Sequence, residues 1–168
     1  MQTEISIRRA TLDDIPTIID LSSRLTEYDT QFDDSMNINW PKSEDALQFF
    51  QERITAHEEG IVLVAICNLQ IIAFFIGGFV EPLSYRKVKK LAEIEELFVL
   101  EEFRSTKIGS KLMERFFLWC QENGAERIRV TVSAENHRAV SLYKKIGFKD
   151  HDLILEKGIE NIKVMNDQ

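Results

Sequence analysis

Glu93-Ile94-Glu95-Glu96-Leu97-Phe98-Val99-Leu100 runs into Glu101-Glu102-Phe103-Arg104-Ser105-Thr106-Lys107-Ile108-Gly109-Ser110-Lys111-Leu112, an apolar-rich run that passes through a basic turn into a helical stripe. Residues 91–100 read as a strand. Ile108, Leu112, Phe116, Trp119 and Cys120 then share one face of a helix over residues 105–121, closed by Asn123 and Gly124. Ile128, Val130 and Val132 alternate with Arg127, Arg129 and Thr131, the pattern of a half-exposed strand. Two strands joined through one helix are expected to run parallel, and ligands bind where such crossovers open.

Working outward, Ile5 and Ile7 alternate with polar neighbours in an opening strand that stops at Ala10. Thr11 with Asp14 reads as a capping box, ahead of a helix whose stripe is Ile15, Ile18, Ile19, Ser22 and Leu25. Residues 27–41 lose periodicity and gather Tyr28, Phe32, Trp40, Asp29, Asp33 and Asp34, so they read as a loop. Ser43 caps a second helix carrying Ala46, Leu47, Phe50 and Ile54, which Gly60 ends. Residues 61–80 are nearly long enough to cross a bilayer. Their β-branched and aromatic content, the central Asn68 and Gln70, and the acidic flanks favour a hairpin of two buried strands instead. Ala139, Leu142, Tyr143 and Ile146 mark a short helix stopped by Gly147. Residues 153–155 and 159–164 read as a closing hairpin.

The chain of 168 residues fits one domain over 1–168. An apolar share of 44 % and a charged share of 29 % exclude a disordered or collagenous chain. A net charge of −7 disfavours nucleic acid as a partner and suits a cationic one. Cys67 and Cys120 both sit in apolar runs and make no disulfide framework, and no signal peptide is evident, so a cytoplasmic location and no membrane association are expected. His57, His137 and His151 lack metal-ligand spacing, and no metal is expected.

The turn from residue 104 to residue 110 presents a helix N-terminus, whose free amides and dipole bind phosphate. Arg104, Lys107 and Lys111 add positive charge. It is no P-loop, because Gly-Lys-Ser/Thr is absent, and taken alone the turn reads first as an ordinary strand-to-helix connection with solvated lysines. The basic stretch 86–90 reads as a solvated turn or as a second phosphate-steering patch. Tyr28 to Trp40 reads as a variable loop or as a recogniser of cations.

Residues 95–99 and 103–112 resemble motif A of the GNAT superfamily of acyl-CoA-dependent N-acyltransferases, with its pattern Gln/Arg-x-x-Gly-x-Gly/Ala. Asn136, Ala139, Leu142, Tyr143, Gly147 and Phe148 resemble that family's second signature, and Arg8 to Thr11 with Asp14 its opening. The resemblance implies a single-domain α/β fold: a mixed, mostly antiparallel sheet, helices on both faces and a splayed parallel strand pair. It implies acetyl-CoA or another acyl-CoA at Leu97, Phe98, Val99, Arg104, Ser105, Thr106, Lys107, Ile108, Gly109, Ser110, Asn136 and Tyr143.

The acceptor it implies is a primary amine, on a small molecule or a protein, and a homodimer is compatible with it. An alkylammonium has a pKa near ~10.4, so a base or a water chain must take its proton. Glu95, matching the carboxylate of polyamine and small-amine acetyltransferases, is taken as the base ahead of Glu93, which matches that of some protein acetyltransferases, with Glu96 beside them. Alternation puts Glu93 and Glu95 on one face and Glu96 on the other unless a bulge intervenes. Each is equally a solvated strand-edge acid. Tyr143 corresponds to the residue that protonates the departing thiolate, against the plainer reading of a core aromatic. Lys107 stands where the family has glycine. This motivates a rival reading, an acyl-CoA-binding regulatory module without turnover.

Overall fold

The computed structural model describes residues 4–159, which fall into two units, 1–133 and 134–168. In the first, strands β1 (Ile5–Arg9), β2 (Gly60–Cys67), β3 (Gln70–Val80), β4 (Leu91–Val99) and β5 (Arg127–Val130) form one sheet in chain order. The first three pairings are antiparallel, and β4–β5 is parallel. The span over residues 61–80 is therefore a hairpin. It turns at Asn68 and Leu69, whose φ angles of 49° and 64° suit the tight turn that follows the strands' twist. Among the described residues no helix is long and apolar enough to cross a membrane.

Helices α1 (Ile15–Asp29) and α2 (Glu44–Thr55) cover one face, and α3 (Ile108–Glu122) covers the other. Adjacent residues of β3 show why these are opposite faces. A methyl on Gly77 would meet the Phe116 ring of α3 at 2.7 Å, whereas one on Gly78 would meet Arg53 of α2 at 2.8 Å. Ile18, Ala46 and Phe50 fill one interface; Leu112, Phe116 and Trp119 fill the other, with Phe75 and Phe116 centroids 4.9 Å apart. The Asp14 carboxylate accepts from the Thr11 N–H at 2.7 Å and from both Arg8 nitrogens at 2.7 and 3.0 Å, tying β1 to the start of α1. Ser43 caps α2 by accepting from the Ala46 N–H at 3.1 Å.

Several expected boundaries move. Strand β4 ends at Val99, β5 ends at Val130 before Val132, and α3 begins at Ile108, because Ser105 and Lys107 take left-handed φ angles of 67° and 66° that a helix cannot contain. In the second unit, α4 (His137–Lys145) is capped by Asn136, whose Oδ1 accepts from the Ala139 N–H at 3.1 Å, and Gly147 follows at φ 103°. The expected closing hairpin is not borne out at residues 153–155, which are exposed and form no strand, since exposed Leu153, Ile154 and Leu155 have no buried face to set a register. Of its second arm, residues 159–164, Ile159 is an exposed bend and the rest lie outside the described residues.

Candidate active site

The parallel pairing of β4 with β5 runs from Leu91–Arg127 to Ile94–Val130 and stops there, while β4 continues five residues further against β3 alone. In an antiparallel pair, bonded and non-bonded residues alternate. The Leu100 N–H donates to the Ile72 carbonyl at 2.9 Å. Counting back from Leu100, Phe98 turns its backbone towards β3, whereas Leu97 and Val99 turn theirs outward into the opening left by β5. The Val99 carbonyl accepts from Arg104 Nε at 3.1 Å. That guanidinium also stacks over Phe98 and Tyr28 at 5.7 and 5.5 Å, so Arg104 braces the turn and takes the outward Val99 carbonyl, leaving the Val99 N–H open.

Beyond β4 the chain enters α3 through Lys107, which is left-handed with ψ 11° and contributes no side-chain cap. The first intrahelical bond is from the Lys111 N–H to the Lys107 carbonyl at 3.0 Å, so the amides of Ile108, Gly109 and Ser110 precede the ladder. A left-handed residue followed by right-handed ones turns successive N–H groups into an anion-binding concavity. Lys107 thus takes the conformation that glycine would supply, at a cost of about 1–2 kcal/mol. Gly109 rests on Leu97 and Val99, whose side chains would lie 3.9 Å from a methyl there. Thr106 Oγ1 donates to the Phe103 carbonyl, fixing the loop. An anionic, strand-like donor such as an acyl-CoA fits this set: outward strand backbone, then uncapped amides. The basic turn at residues 86–90 precedes β4 and lies about 25–30 Å of strand away, too far to share one phosphate group.

The register of β3 with β4 skips a residue: Ile76 faces Glu96 and Gly77 faces Ile94, leaving Glu95 as a bulge. The exception allowed for a bulge is therefore the case found, and simple alternation does not separate Glu96 from Glu95. Both line one cavity of about 270 Å³ with Leu25, Thr26 and Asp29 of α1 and with Met36, Asn37 and Trp40 of the following loop. Glu93 is held apart, receiving Arg129 at 2.5 Å and Thr131 at 3.3 Å from the β5 side.

Glu95 accepts from Arg53 Nη2 at 2.5 Å. Arg53 reaches it by lying across the sheet where β2 and β3 carry Gly60 and Gly78; methyls there would come within 3.2 and 2.8 Å of its side chain. Sequence reading missed Arg53, and the glycines interrupting two apolar strands were the signal that something passes close. Burial raises the Glu95 pKa against the pull of Arg53, and burial raises that of Asp29. Glu96 is pushed up to about 7 by burial, with Glu95 and Asp29 adding to the rise and the Ser22 hydroxyl opposing it. Among the described residues, Glu95 Oε2 and Glu96 Oε2 are buried without a hydrogen-bond partner. In the second unit, Tyr143 packs edge-on to Phe148 at 5.6 Å.

The sequence profile of the acetyltransferase (GNAT) family matches residues 24–148. An uncharacterized N-acetyltransferase of Methanocaldococcus jannaschii is 23 % identical over 150 residues, 89 % of this chain and 62 % of that protein, so the chain spans somewhat under two thirds of its length. The crystal structure of a mutant of the BH1408 protein from Bacillus halodurans superposes with a TM-score of 0.80 at 23 % identity, covering 92 % of this chain and 99 % of the other. A predicted acetyltransferase from Clostridium acetobutylicum, solved with acetyl-CoA, gives 0.71 at 21 % identity, covering 93 % and 97 %. With the profile matching most of the chain and the splayed sheet present, the chain belongs to the acetyltransferase (GNAT) family, a family of acetyl-CoA-dependent acetyltransferases.

Proposed function

We propose that the chain transfers an acetyl group from acetyl-CoA to the nitrogen of a primary amine by direct attack on the thioester. The observation that carries the reading is the continuity of one strand. Along β4, an acidic cavity at Glu95 and Glu96 is followed at once by the outward backbone of Leu97 and Val99, and then by the amides of Ile108 to Ser110. Acetyl-CoA supplies an activated acyl carbon. The residues suited to hold it are Leu97 and Val99, by strand-like hydrogen bonds, and Ile108, Gly109 and Ser110, by amides turned to its diphosphate. The Leu97 N–H is suited to polarising the thioester carbonyl. Tyr143, placed by the resemblance of residues 136–148, serves as the proton donor to the leaving thiolate.

The cavity supports a compact cationic acceptor, either a small amine or an amino group on a flexible protein segment. Its acids, Asp29, Glu95 and Glu96, lie beside apolar walls from Leu25, Met36 and Trp40, and its volume of about 270 Å³ is small for a ligand site. A free-thiol assay with acetyl-CoA and a panel of amines tests the proposal. Thiol release that depends on a cationic amine is the expected result. Acetyl-CoA binding by calorimetry with no release under any amine favours the rival binding module, for which the non-glycine Lys107 is the motive.

A further inference from the structure

We propose that Glu96, and not Glu95, is the residue that takes the acceptor's proton, with Glu95 a positioning residue fixed by Arg53. The inference rests on the acetyl-transfer reading and assigns roles within it. The bulge at Glu95 places consecutive carboxylates in one cavity, where alternation would have sent them to opposite faces. One of them is already engaged: Glu95 receives Arg53 at 2.5 Å, and the arginine is in turn fixed by the Gly60–Gly78 trough and by the Phe49 ring at 5.7 Å. Burial raises the Glu95 pKa, but the guanidinium pulls against that rise, and a proton accepted on the bonded oxygen must displace Arg53. Glu93 is likewise engaged by Arg129.

Glu96 differs from both. Ser22 and Asp29 face it from α1, Glu95 flanks it on its own strand, Arg53 of α2 reaches it only by way of Glu95, and β3 presents Ile76 opposite. Its neighbours are thus acidic or neutral, so no cation holds it ionised; its Oε2 is buried without a partner, as is that of Glu95, but only Glu95 has its other oxygen on a guanidinium. A buried, unpartnered carboxylate oxygen is costly to keep unless a donor arrives. An alkylammonium is such a donor. Glu96 is raised to about 7, where a group is half ionised and best matched to accept and release a proton at neutral pH. R–NH3+ gives one proton to Glu96 Oε2 and becomes R–NH2. The nitrogen lone pair forms the C–N bond as the C–S bond breaks, Tyr143 gives its proton to the departing thiolate and is restored by the second nitrogen proton, and Glu96 returns its proton to water.

The test is the pH dependence of kcat/KM for wild type, Glu96→Gln, Glu96→Asp and Glu95→Gln, with acetyl-CoA and 1,3-diaminopropane, lysine amide and a short peptide as acceptors. Wild type is expected to gain activity through a limb centred near pH 7, as Glu96 ionises. Glu96→Gln loses that limb and falls by about 10²–10⁴-fold, the usual worth of a positioned base. Glu96→Asp restores the limb in part. Glu95→Gln keeps it and raises KM. Acetyl-CoA affinity by calorimetry stays within about twofold in every variant, which shows that each is folded. A Glu96→Gln enzyme that keeps both limb and rate, or a Glu95→Gln enzyme that loses the limb, overturns the assignment. If wild type binds acetyl-CoA and releases thiol with none of the amines, the transfer reading itself has failed, and the assignment falls with it.

Discussion

Replacing Glu96 by glutamine should make the protein more stable at pH 8 and leave it nearly unchanged at pH 4.5. In the folded chain the Glu96 pKa is raised from 4.5 to about 7, chiefly by burial. A carboxyl group whose pKa is higher folded than unfolded favours folding while protonated. That contribution is complete below the unfolded pKa and is lost as pH rises through the folded one. The window therefore runs from about pH 4.5 to about pH 7. At about 1.4 kcal/mol per pKa unit, the full loss is on the order of 3 kcal/mol, and Glu95 and Asp29 share part of it because they titrate beside it. Glutamine keeps the shape and the acceptor for Ser22 but never carries the charge. Urea unfolding of both proteins from pH 4.5 to 8.5, followed by the fluorescence of Trp40 and Trp119, measures the difference at each pH. The variant's advantage should grow by about 2–3 kcal/mol across the window and then level off. A difference independent of pH, or a variant less stable at pH 8, refutes the claim that Glu96 is an uncompensated buried acid.

Leu69 is fully exposed and holds φ at 64° in the β2–β3 turn, so Leu69→Gly should raise stability by about 1 kcal/mol by relieving left-handed strain without loss of packing; chemical denaturation reads it. Gly78→Ala places a methyl 2.6 Å from the Glu59 carbonyl and 2.8 Å from Arg53 Nη1, so it should cost about 1–3 kcal/mol and raise KM for the amine by freeing Glu95; an unchanged melting temperature and KM would remove the trough from the account. Tyr143→Phe should lower kcat while acetyl-CoA affinity stays intact, and unchanged turnover takes Tyr143 out of the chemistry.

What the sequence made legible is what local periodicity encodes. The α3 stripe from Ile108 to Cys120, the Ser43 cap and the buried hairpin around Asn68 each follow from spacing within one or two turns, and each is found. The bulge was not legible, because Glu93-Ile94-Glu95 alternates faithfully and only the doubled acid at Glu95-Glu96 marks the extra residue. Arg53 was not legible either. It meets a carboxylate 42 positions away through glycines on two other strands, a relation that no local window contains. Lys107 departs from the family's glycine, yet its backbone takes the angle that glycine would supply; a sequence shows the side chain that changed but not the φ that was kept.

The most direct measurement of the central claim is a crystal soaked with acetyl-CoA. Electron density for the pantetheine arm is expected along the outward edge of Leu97 and Val99, with the diphosphate against the amides of Ile108, Gly109 and Ser110. A donor bound elsewhere, or a splay and helix terminus left empty at saturating acetyl-CoA, contradicts it.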